Sequence, residues 1–88
     1  MDIFKTVDDL KKANFNCSSG MWTEFAEGNL WADFKKELHC WLADTWASLE
    51  VEEEPTMISQ LQGRARCIRD VLQLPDGVIH MIEQTEED

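Results

Sequence analysis

Positive charge is scarce in this chain. It carries 8 lysines and arginines against 18 aspartates and glutamates, a net charge of −10. Phosphate contacts need clustered Lys and Arg, so direct nucleic-acid binding is not expected. An anionic membrane surface is disfavoured for the same reason. Long apolar runs are missing too, and nothing approaches the roughly 20 residues needed to span a bilayer. The start, Met1-Asp2-Ile3-Phe4-Lys5, lacks the basic and apolar stretches of a signal peptide, so an intracellular protein is expected. There is no Gly-rich phosphate loop, no G-x-S-x-G and no H-E-x-x-H. The cysteines (Cys17, Cys40, Cys67) are odd in number and far apart, and reduced thiols are the expectation.

Aromatic residues, by contrast, are plentiful. Trp22, Trp31, Trp41 and Trp46 stand beside Phe4, Phe15, Phe25 and Phe34. Each large ring can bury roughly 150–250 Å². A chain of 88 residues makes one small domain with a marginal core, and helical chains of this size often gain stability by oligomerising. One helical seam cannot cover so many rings. Part of the aromatic surface is therefore expected at a contact with another chain.

The chain is organised around Trp31 to Leu72. One apolar set runs Trp31, Phe34, Leu38, Trp41/Leu42, Thr45, Leu49, and a second runs Ile58, Leu61, Ala65, Ile68, Leu72. Both step by three and four, which lines each set along one side of a helix. The acidic turn Glu50-Val51-Glu52-Glu53-Glu54 and Pro55 separate them. Pro55 suits the first turn of a new helix, and Glu54 before it is biased out of helical geometry. The spacing predicts an all-α fold. Its centre is an antiparallel helical hairpin over residues 30–73, with Phe34, Leu38, Leu42 and Leu49 facing Ile58, Leu61, Ala65, Ile68 and Leu72. Residues 1–29 form an N-terminal arm, with a short helix on Ile3, Phe4, Val7 and Leu10 and a loop at 14–20. Within 21–28 the pattern is helical, Thr23 is a candidate cap, and Gly28 is expected to break or kink the chain. Asn29 is a candidate N-cap for a helix from Leu30. Leu74-Pro75-Asp76-Gly77 is expected to end the second long helix. Val78 to Ile82 fit a short helix or a strand, a helix of one or two turns folding back near Trp31 being preferred. Residues 83–88 form an acidic, frayed tail.

Few residues suggest chemistry. Cys17, His39, Cys40, Cys67 and His80 lack the short spacings of a compact zinc site, so buried or half-buried thiols and surface histidines are expected. A Cys/His nucleophile pair lacks any group to orient the base. The carboxylates cluster at the hairpin tip and the tail, whereas acid–base catalysis needs a shaped apolar pocket. Neither a catalytic site, a metal site nor a cofactor is expected. Arg64, Arg66 and Arg69 are the one concentrated basic feature. They suit a carboxylate cluster on a neighbouring subunit, or ion pairs with Asp33, Glu37 or Asp44 of the first helix. Gly63 is unusual inside a helix, and a close approach of another backbone or of the Trp46 ring would account for it. Trp31, Trp41, Trp46, Gly63, Arg64, Arg66 and Arg69 are therefore the candidate interface.

The run Leu61-Gln62-Gly63-Arg64-Ala65-Arg66-Cys67-Ile68-Arg69-Asp70-Val71-Leu72-Gln73-Leu74-Pro75 resembles the C-terminal half of small tailed-bacteriophage proteins encoded among head and tail genes. Those look like a Trp- and Leu-bearing helix, an acidic turn, then a helix with Leu-Gln-Gly-Arg and a closing Leu-x-Leu-Pro. The resemblance spans about 31–75 and transfers no functional residues. It implies a non-enzymatic role in virion assembly or on the virion, in the host cytoplasm or the particle. The partner would be a second copy of this chain or another phage or host protein. The charge suggests an alternative, an acidic inhibitor or nucleic-acid mimic seated in a basic site of a host protein.

Overall fold

A computed structural model describes residues 6–7 and 13–87, with the side chains of 86 and 87 excepted. The predicted helix on Ile3, Phe4 and Leu10 lies outside the described residues. The described chain is all-helical, with no strand. Its elements are α1 (Ser19–Glu27), α2 (Asn29–Val51), α3 (Pro55–Leu72) and α4 (Leu74–Glu87).

Local chemistry sets each boundary. Ser18 is extended, and its Oγ accepts from the Met21 N–H at 3.2 Å, which caps α1. Thr23, the expected cap, lies inside the helix and donates its hydroxyl to the Ser19 carbonyl at 2.8 Å. Gly28 breaks the chain as expected. It is extended at φ −81°, ψ 163°; its N–H donates to the Phe25 carbonyl and its carbonyl accepts from Ala32, both at 3.1 Å. One residue thus ends α1 and starts α2. Asn29 is already helical, and α2 starts with no side-chain cap.

At the other end of α2, the Glu52 N–H closes on the Ser48 carbonyl at 3.0 Å. Three residues later α3 begins on Pro55. The Glu54 carboxylate accepts from the Thr56 N–H at 3.3 Å and the Met57 N–H at 2.9 Å. These are donors that a helix start leaves without partners.

The last helix corrects the expectation. Leu74-Pro75-Asp76-Gly77 opens α4 as well as following α3, and only Gln73 stands between the two. Pro75 falls in the first turn, where its missing N–H costs nothing. Asp76 lies there too, where a carboxylate suits the helix dipole. The helix runs fourteen residues and carries the acidic tail to Glu87 in helical form. Nor does it fold back near Trp31. It packs chiefly on α1, and only slightly on α3.

The core is small. Trp31, Leu38 and Leu42 of α2 cluster with Ala65 and Ile68 of α3, and Ala26 and Leu72 pack against them. Two expected positions change. Phe34, assigned to the seam, is 56% exposed, while Trp31 is 8% exposed and lies in the core. The positions of α2 facing α3 are 31, 38, 42, 45 and 49, and residue 34 falls about 50° to one side of their mean direction. Thr45 is the one buried polar residue among those described, and its hydroxyl donates to the Trp41 carbonyl at 2.8 Å. On α4, Pro75, Val78 and Ile82 are buried. The N-terminal side is tied in by rings. Phe15, Trp22, Phe25 and Trp31 follow one another with centroids 6.4, 6.0 and 5.5 Å apart.

Candidate protein-interaction surface

The expected interface residues divide into separate sets. Trp31 is spent inside the chain and leaves the candidate surface. Trp41 and Trp46 are 47% and 50% exposed. Five positions apart on one helix, they point about 140° from each other and lie on opposite flanks of α2. Arg64 and Arg69 are separated in the same way on α3, and Arg66 lies on the flank of Arg69. All three guanidinium groups are on exposed residues. Among the described residues none of them is held in an ion pair with Asp33, Glu37 or Asp44. Glu37 instead accepts from the Trp41 indole N–H at 3.1 Å, one turn along the same helix.

Gly63 also departs from expectation. A Cβ there would meet nothing within 4 Å, so neither Trp46 nor any backbone approaches it. It points to the outer side of α3, opposite the buried Ala65 and Ile68 positions.

Sequence reasoning missed residues that the structure leaves uncovered. On α2, Leu30 is 66% exposed and joins Phe34 and Trp41 in a stripe stepping by four and seven. On α3, Met57 and Val71 are exposed and flank Arg64 at steps of seven. Seven residues are close to two turns, so each set forms a line along its helix. The signal was present in the sequence. Phe34 fits a 30–34–41 line better than the 31–38–42–45–49 line once Trp31 is admitted to the core.

Other features are weaker as sites. An open apolar cleft of about 250 Å³ on α1 is lined by Cys17, Met21, Trp22 and Phe25. It lacks the convergent polar groups that orient a small ligand. All three cysteines are free and exposed, against the expectation of buried or half-buried thiols. Among the described residues no three His, Cys, Asp or Glu side chains are grouped to hold a metal ion. No described helix is long and apolar enough to cross a membrane. Comparison with protein-family models, with curated proteins and with solved structures found no match to this chain.

Proposed function

We propose that this chain is a non-enzymatic phage protein that acts through protein–protein contacts in virion assembly or on the virion. In this reading α2 and α3 form an antiparallel helical hairpin, and one long side of it is the contact surface. A three-residue connector and a shared buried cluster support the hairpin. Antiparallel packing has a geometric consequence. Viewed down α2 from its N-terminus, residues wind clockwise, while those of α3 wind counter-clockwise. The Leu30–Phe34–Trp41 line and the Met57–Arg64–Val71 line then fall on the same side of the seam. Trp46, Arg66 and Arg69 fall on the other.

The observation that carries the proposal is the exposure of Leu30, Phe34, Trp41, Met57 and Val71. Scattered surface apolar residues are ordinary, but a contiguous set on one face marks an interaction site. The chain's total surface agrees. It exposes 7402 Å² at 10.2 kDa, against about 5300 Å² for a compact monomer of that mass.

The test is sedimentation of particles from infected cells that make the tagged chain. Co-sedimentation that survives in Trp46→Glu and is lost in Phe34→Glu is expected. A chain absent from particles, recovered instead on a basic host protein that high salt releases, would sink the assembly reading. It would favour an acidic inhibitor, which the net charge of −10 supports.

A further inference from the structure

We infer that the occupant of this apolar side is a second copy of the chain, docked about a two-fold axis that runs parallel to α2 and α3. The inference rests on the proposed contact surface and names its partner.

Charge argues first. The side carries two acids, Glu37 and, seven residues on, Asp44, and one base, Arg64, among Leu30, Phe34, Trp41, Met57 and Val71. Of the other acids of α2, Asp33 lies on the outer side and Glu50 past the seam. A basic partner drawn to a net charge of −10 would find little of it here. A mostly apolar side on which Arg64 of the second copy would meet Trp41 between Glu37 and Asp44 suits its own copy.

Register argues second. Trp41 stands twelve residues before the middle of the 52–54 connector and Arg64 eleven after it. At about 1.5 Å per residue the two are nearly level. Phe34 and Val71 are level in the same way, nineteen before and eighteen after. With the two-fold axis along the helices, α2 of one copy lies over α3 of the other. Trp41 then meets Arg64 of the second copy, and Phe34 meets Val71 of the second copy. Symmetry repeats each contact, as an isologous interface requires. A guanidinium over an indole is a favourable pairing. Every neighbouring pair among the four helices is antiparallel, the arrangement of an up-and-down bundle.

Area argues third. Two helices side by side present a strip about 20 Å wide, and the stretch from Leu30 to the level of Met57 is about 30 Å long. A stable interface takes about 800 Å² of accessible surface from each partner, and a ridged strip of this footprint offers an area of that scale.

The experiment is sedimentation equilibrium of the whole reduced chain. A mass of twice 10.2 kDa at micromolar concentration is expected. Trp41→Glu and Phe34→Glu should each weaken the dimer at least about 30-fold, the loss typical of a central aromatic. Trp46→Glu, on the opposite flank, should leave it unchanged. Circular dichroism checks that each variant stays helical, and Trp41→Ala replaces any that does not. In a chain with Cys17, Cys40 and Cys67 changed to Ser, mixing Phe34→Cys and Val71→Cys molecules should give a mixed disulfide dimer. A disulfide dimer of Phe34→Cys alone would overturn the axis. A monomer at micromolar concentration, or a dimer lost only in Trp46→Glu, would overturn the inference. If the monomer still enters particles through Phe34, the second copy is refuted and the contact surface stands.

Discussion

Gly63 and Glu54 show how single positions tune this small core. Gly63 lies inside α3 with open space where its Cβ would be. Alanine there removes backbone freedom from the unfolded chain and meets no clash. Gly63→Ala is expected to stabilise by about 0.5–1 kcal/mol. Thermal unfolding checks it, and a chain of this size should gain roughly 2–8 °C. A lower midpoint would mean that another chain approaches the outer side of α3. Glu54 works in the opposite direction, since it holds two N–H groups at the start of α3. Glu54→Ala should cost about 1 kcal/mol. Urea unfolding should show a lower midpoint with an unchanged slope, and an unchanged midpoint would remove the cap from the energetics.

At the scale of elements, α1 and α4 depend on each other. No residue of α1 is buried, and α4 packs chiefly on it. Val78→Asp would place a carboxylate at a buried position of α4, a strongly unfavourable change. Amide hydrogen exchange should then speed up in α1 and α4 together, while the middle of α2 stays slow. Equal acceleration in all four helices would contradict this division.

The same elements show what the sequence made legible. α2 and α3 were readable because long periodic runs are bounded by Gly28, an acidic turn and Pro55. Their observed limits lie within a residue of the expected ones. The start of α4 was not read. A proline three residues past a helix signals a stop, and here it signals a start as well. The same logic that placed Pro55 in a first turn applies to Pro75. Among the candidate surface residues Trp41 and Arg64 were found, while Phe34 was placed in the seam. Spacing alone does not say whether Trp31 or Phe34 takes the inner position. Packing of Ala26 on the cluster that holds Trp31, and of the Phe25 ring on Trp31, decides it. At Gly63 a mid-helix glycine suggests a neighbour, and no part of the described chain supplies one.

At the scale of the whole molecule, the chain is extended for its length. Its radius of gyration is 16.9 Å, where about 12 Å is usual for 88 residues. A shape this open leaves apolar side chains in water, and a partner on the α2–α3 side would cover them. Footprinting with hydroxyl radicals tests this without any substitution. Trp41, Phe34 and Met57 should be labelled when the chain is dilute and protected when it is concentrated, with Trp46 labelled alike in both. Equal labelling of Trp41 and Trp46 at every concentration would contradict the contact surface proposed for this side.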